Sequence, residues 1–328
     1  MTQGSLIFRT LSIVTVFITS LASTAHSETE NPNTYPSRPI RIVVPASPGG
    51  VNDILARLIG PRMSETFGQP VIVENKPGGG TAVGASAVAR ATPDGYSMLM
   101  TGTATMAVIP AVEANVSFVP QRDFIPVATV VTYPYVLATT PNIRIHTVKD
   151  LINFSHANPK KSNAGGASVG FQLITDLFAA TAKIPIQYVP YKGASDVNVD
   201  LMTGILSLSF LDVGPAMPNI QAEKIHPLAV TSKARLSSLP HVPTMLEIGM
   251  KDMVFESWAG IFLPASTPSA IVKKLQNEIL RIVTLPEFKE KLKPLELTPS
   301  GLSSDEFSLI LAADIVRWDQ IVRSSKIR

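Results

Sequence analysis

Along this sequence a β-rich run repeatedly ends in a loop of Gly, Pro, Ser or Thr, and a helical pattern starts directly after it. Residues 39–45 (PIRIVVP) run into 46–50 (ASPGG), after which Ile54, Leu55, Leu58, Ile59 and Met63 share one helical face. Residues 69–74 read as a second strand, 75–80 (NKPGGG) as a loop and 82–91 as a small-residue helix. The turn 93–95 (PDG) leads into a third strand over 96–100. Strands that alternate this closely with helices must return to the same end of a sheet. The pattern therefore predicts an α/β fold with parallel pairing. The 27 prolines and 20 glycines fit that order, because each strand end has to turn sharply.

The alternation persists past residue 125. A long β-rich stretch covers 127–139, and a helix over 148–157 opens at Thr147 with Asp150 three residues on, the spacing of a capping box. A loop at 163–168, a helix at 170–182, a strand at 186–189 and a helix at 194–203 follow. A strand at 205–211, a short helix at 215–222 and a strand at 228–231 complete this half. The last hundred residues read differently, with helices at 269–284, 287–292 and 304–324. In the last helix Phe307, Leu311, Ile315, Trp318 and Val322 fall on one face, which assigns Trp318 to packing in preference to ligand stacking.

Composition narrows the function classes. The 328 residues are enough for about two domains, and 45% apolar with 16% charged residues supports a sizeable core. A net charge of +3 with no basic run longer than Lys160-Lys161 offers no face for nucleic acid. The absence of cysteine removes thiol nucleophiles, thiolate metal sites, disulfides and lipid attachment. Residues 1–27 carry Arg9, an apolar stretch at 11–22 and small residues at 23–27, the pattern of a secretory signal cleaved after Ala25 or Ser27. That apolar stretch is too short to span a bilayer, which takes about 20 residues. The expectation is an exported, periplasmic protein.

Four loops stand out as places for chemistry: 45–53 (PASPGGVND), 77–84 (PGGGTAVG), 101–105 (TGTAT) and 163–170 (NAGGASVG). Loops after strand C-termini line the ligand crevice of open α/β sheets, and the helices that follow present free N–H groups to an anion. Asp53 is the one charged side chain among them, so backbone and hydroxyl groups would hold that anion. Two catalytic patterns compete. Residues 166–170 (GASVG) fit a nucleophile elbow around Ser168, with Asp176, Asp196, Asp200 or Asp212 and then His226 or His241 in chain order; the polar stretch 159–163 argues against the buried strand an elbow needs. The glycines at 78, 80 and 84 are spaced one residue too far apart for a dinucleotide fingerprint. The five histidines show no metal-ligand spacing, so neither metal nor cofactor is expected.

The runs 35–50 (YPSRPIRIVVPASPGG), 68–80 (GQPVIVENKPGGG), 91–100 (ATPDGYSMLM), 189–194 (VPYKGA), 228–249 (LAVTSKARLSSLPHVPTMLEIG) and 256–268 (ESWAGIFLPASTP) resemble the Bug, or TctC-type, proteins. These are exported solute-binding components of tripartite tricarboxylate transporters. The resemblance implies a two-lobed periplasmic binding protein fold, type II-like, each lobe a mixed sheet flanked by helices and joined by a hinge. Lobe 1 would comprise 35–125 plus 233–328, and lobe 2 would comprise 126–232. It also implies a monomer that captures a small organic carboxylate and hands it to membrane permease subunits or, alternatively, to a sensor protein. Carried over residue by residue, the ligand would meet Ala46, Ser47, Gly49, Gly50 and Asp53 in the first loop. Ala167, Ser168 and Val169 would meet it from the second lobe, with Thr101, Thr103 and Thr105 along the side.

This sequence departs from the family pattern in three places. Ala46 replaces the usual aromatic, and Met106 and Ile109 stand where His and Asn are frequent. Phe210-Leu211-Asp212 moves a carboxylate by one place, which leaves open whether Asp212 faces the cleft. A larger, less polar cleft would suit a monocarboxylate with an apolar or aromatic body in place of citrate.

Overall fold

The computed structural model describes residues 34–113 and 115–324, and the signal expected at 1–27 lies outside the described residues. Strand β1 (Ile40–Val44) is a short β-branched run with all but Arg41 buried, as suits a strand covered on both faces. Helix α1 (Val51–Phe67) buries Val51, Leu55, Ile59 and Met63 down one side and stops at Gly68, whose φ of 66° ends the helix in the left-handed region. Next come β2 (Val71–Asn75), α2 (Ala82–Ala89) and β3 (Ser97–Gly102). Two single turns, α3 (Ile109–Val112) and α4 (Pro120–Asp123), deliver the chain to the 16-residue β4 (Phe124–Thr139).

Beyond it lie α5 (Val148–Ala157), β5 (Asn163–Gly166), α6 (Val169–Ala182) and β6 (Gln187–Pro190). They are followed by α7 (Ala194–Thr203), β7 (Leu208–Asp212), α8 (Val213–Gln221) and β8 (His226–Val230). The chain returns along β9 (Glu256–Pro264) and closes with α9 (Ser269–Thr284), α10 (Pro286–Leu292), β10 (Thr298–Pro299) and α11 (Ser304–Ser324).

The strand order is β2-β1-β3-β9-β4-β7-β5-β6, with β8 and β10 also pairing with β4. Pairing is parallel in each wing, β1 with β2 and β3, and β5 with β6 and β7. It is antiparallel where β4 and β9 join the wings, so the sheet system is mixed. β4 pairs with β9 from Phe124 to Pro134 and with β7 from Tyr135 to Thr139. The strand thus leaves one sheet for the other at Pro134, a residue with no N–H to lose. Thr231, just after β8, fastens the return crossing beside the outward one. Its hydroxyl accepts from the Tyr135 amide at 2.9 Å. Its own amide donates to the Tyr135 carbonyl, and its carbonyl accepts from the Phe255 amide, each at 3.0 Å. The result is a two-lobed α/β fold with a mixed sheet and flanking helices.

Two expectations are corrected. Residues 163–166, read as loop, form β5, a parallel strand buried except at Asn163. Its glycines hid it from pattern reading yet serve packing: a Cβ on Gly166 would sit 2.4 Å from Phe171 Cβ and Tyr188 Oη. β9, which no alternation marked, is central, because a strand buried on both faces shows a continuous apolar run without a period of two. Elsewhere the sequence pattern holds. Thr147 and Asp150 close a capping box on α5, and Trp318 packs edge-on against Phe255 with ring centroids 5.7 Å apart.

Candidate functional site

Helices α1, α6, α7 and α8 begin at or within a few residues of the C-terminal ends of β1, β5, β6 and β7. No side chain caps any of the four: Gly50, Ser168, Gly193 and Asp212 occupy the N-cap positions without a capping bond. Their first-turn amides and positive dipole ends therefore remain for something else to satisfy.

The first loop reaches across to the second lobe. Ser47 Oγ donates to the Lys192 carbonyl at 3.1 Å, and Ser195 Oγ donates to the Pro48 carbonyl at 3.2 Å. Side chains would prevent this approach. A Cβ on Gly193 would lie 2.6 Å from Ser47 Cβ, and one on Gly49, whose φ is +95°, would lie 2.7 Å from Ser195 Oγ. Gly50 is different, with extended backbone (φ −82°) and open space where a Cβ would point.

Asp53 is buried and fully engaged with protein. It accepts from the Gly49 amide, Arg57 Nε and Asn75 Nδ2, each at 3.0 Å. Burial pushes its pKa up, but the bonds from Arg57, Gly49 and Asn75 and the charge of Arg57 outweigh that and hold the carboxyl below its ordinary range. Asn75 Nδ2 also donates to the Ala46 carbonyl at 3.1 Å. Asp53 thus shapes the loop from behind.

The threonines are likewise occupied. Thr101 Oγ1 donates to Thr105 Oγ1 at 2.7 Å, Thr105 meets Thr81 at 2.8 Å, and Thr103 Oγ1 accepts from the Trp258 amide at 3.1 Å. Met106 and Ile109 are completely buried.

On the second lobe, Gly166, Ala167, Phe171, Ala194, Val197, Asn198, Leu211, Asp212 and Pro215 enclose a cavity of about 10 Å³, room for about one water. Asp212 lines this cavity. Burial raises its pKa from 3.8 to about 7. Ser168 Oγ is buried without a hydrogen-bond partner, and so is Asn198 Oδ1. Val169 abuts Gly80 of the first lobe, where a Cβ would come within 2.8 Å of its Cγ2. The cavity therefore gathers Ala167 and Asp212 from the sequence candidates, with Ser168 and Val169 next along the chain, whereas the first-loop residues do not line it. Sequence reasoning missed Phe171 and Asn198. The signal for Asn198 was a polar residue four positions from Ala194, beside the apolar stripe of Val197 and Leu201.

The strand–turn–helix frame of an elbow exists around Ser168, contrary to the expectation drawn from the polar stretch before it. The triad does not. Ser168 Oγ touches no histidine, and His226 stacks edge-on with His146 at 5.0 Å.

A family model described as "Tripartite tricarboxylate transporter family receptor" matches residues 55–327. A UPF0065 protein of Pseudomonas sp., from the tcbD-tcbE intergenic region, is 33% identical over 92% of this chain and 90% of its own length. Among solved structures, the periplasmic binding protein BugD superposes with a TM-score of 0.86 at 28% identity, covering 90% of this chain and 99% of its own. An adipate-bound protein of R. palustris gives 0.85 at 31% identity, covering 89% and 98%. MatC from Rhodopseudomonas palustris, with bound malate, gives 0.84 at 26% identity, covering 88% and 100%. These are solute-binding receptors, not enzymes, and the Ser168 hydrolase reading gives way to them.

Proposed function

The chain belongs to the tripartite tricarboxylate transporter receptor family, and from that premise we propose that it captures a small organic carboxylate between its lobes and delivers it to membrane permease subunits. One observation carries the reading: the helices that follow β1, β5, β6 and β7 all start without a side-chain cap, and the buried Ser168 hydroxyl at the start of α6 also lacks a partner. The nearest first-loop charge, Asp53, is spent on the loop itself, so an anion held here is held by amides and a hydroxyl.

The ligand would bind with Ser47, Gly49 and Gly50 on one side and Ala167, Ser168 and Val169 on the other. The lobes, 35–125 plus 233–328 and 126–232, would close by bending at the two crossings beside Thr231. The protein would work in the periplasm after loss of its signal.

Calorimetric titration of the purified protein with mono-, di- and tricarboxylates tests the binding step. At least one is expected to bind, and Ser168→Ala should weaken it by about tenfold, the worth of a hydrogen bond to a charged group. Failure of every carboxylate to bind, or indifference to Ser168→Ala, would overturn the assignment.

A further inference from the structure

Helix α11 is apolar on two sides. Its inner face buries Phe307, Leu311, Trp318 and Val322, as the sequence periodicity predicts. The opposite face of a helix on a protein surface is normally polar. Here it carries Leu309, Ala313 and Val316, spaced i, i+4 and i+7, with Ile310 beside them, and all four are exposed. Leu309 is 73% exposed, Val316 56% and Ile310 37%. Single exposed apolar side chains are ordinary, but three large ones within about two turns of one helix form a patch suited to a partner.

The charges on the same outer face are segregated along the helix. Asp305 and Glu306, both exposed, lie before the patch. Arg317 and Arg323, also exposed, lie at its end and beyond it. Asp319 pairs with Arg323 at 2.8 Å, and Lys326 and Arg328 follow in the sequence. From its start to its end, the outer face is thus acidic, then apolar, then basic. Two such faces laid antiparallel match throughout, apolar on apolar, with each acidic turn against the basic end of the other helix. Laid parallel, they would set like charges together. A surface complementary to an antiparallel copy of itself is what a two-fold dimer needs. Ala313, in the middle of the patch, lets the two helices approach closely.

We infer that two copies of this chain associate through antiparallel α11 helices, in place of the monomer that the family resemblance implies. No α11 residue lines the cavity beside Asp212, so the contact lies apart from it. A single helix pair falls below the roughly 1,200 Å² of a stable interface, so the dimer is weak and depends on concentration.

The test is sedimentation velocity of the purified protein from micromolar to millimolar concentration, with a thermal melt of each variant to show that it is folded. The wild-type sedimentation coefficient should rise with concentration towards that of a dimer. Leu309→Lys with Val316→Lys should hold it at the monomer value. Reversing either charged end, by Asp305→Lys with Glu306→Lys or by Arg317→Glu with Arg323→Glu, should weaken association by about tenfold or more. Glu306 also accepts from the Ser303 amide at the start of the helix, so the arginine pair checks the effect of charge independently of that cap. All four reversals in one chain should restore association, because antiparallel copies then oppose unlike charges again. A wild type that stays monomeric at every concentration overturns the inference, as does association that survives Leu309→Lys with Val316→Lys. Failure of the folded fourfold variant to recover association overturns the antiparallel pairing.

Discussion

Asp53 and Asp212 carry the same carboxyl group in opposite directions, and their neighbours account for the difference. Asp53 gains Arg57, Asn75 and a backbone amide and is held low; Asp212 gains only burial and rises to about 7. Because the folded pKa of Asp212 lies above its ordinary 3.8, the group costs no stability below that pH and costs progressively more as pH rises towards 7. A shift of this size corresponds to about 4 kcal/mol at most, at about 1.4 kcal/mol per pH unit. Asp212→Asn should therefore melt above the wild type at pH 8 and close to it at pH 4. Equal changes at both pH values would show that ionisation of Asp212 is not the cause. Asp53 follows the reverse sign, contributing stability above its ordinary range and losing it as pH falls through the lower folded value. Asp53 stood out in the sequence as the one charge in the glycine-rich loops, and Asp212 as a carboxylate moved by one place from the family pattern. Asn198 did not, since an amide beside an apolar helical stripe is common and its importance depends on which oxygen remains unpaired.

Elements with local signals were legible and those shaped by packing were not. α5 announced itself through Thr147 and Asp150, a cap closed within three residues. β5 could not, because its glycines read as turn residues until Tyr188, Tyr191, Leu206 and Phe171 are in place around them. Gly166→Ala should accordingly destabilise the protein by about 1–3 kcal/mol in chemical denaturation, the usual cost of overpacking. A neutral result would mean that the aromatic rings there move aside freely. The first loop allows a sharper comparison. At Gly49, Ala meets both a positive φ of +95° and the Ser195 hydroxyl, whereas at Gly50 it enters open space on extended backbone. Gly49→Ala should cost about 1–3 kcal/mol of stability, and Gly50→Ala close to none. Thermal melts of the two variants side by side check this, and equal losses would refute it.

At the scale of the whole molecule, the strand–loop–helix order foretold two parallel wings, but not how they join. That junction depends on β4 exchanging β9 for β7 at Pro134 and on Thr231 fastening the crossings, contacts between residues about a hundred positions apart. The described conformation is one in which the lobes touch, and two hydrogen bonds, Ser47 to Lys192 and Ser195 to Pro48, help to hold it so. Each is exposed and neutral, worth about 0.5–1.5 kcal/mol, so losing both should shift the equilibrium between closed and open forms by about 5- to 160-fold. The lack of cysteine makes this directly measurable, because introduced thiols are the only ones to label. Val83 on α2 and Val199 on α7, each 50% exposed, place one label on each lobe. Without ligand, Ser47→Ala with Ser195→Ala should move the label-to-label distance distribution towards longer separations. A bound carboxylate should draw it back, because a ligand gripped by both lobes stabilises only the form in which both reach it. A distribution that the two substitutions leave unchanged would mean that these bonds follow closure without helping to cause it.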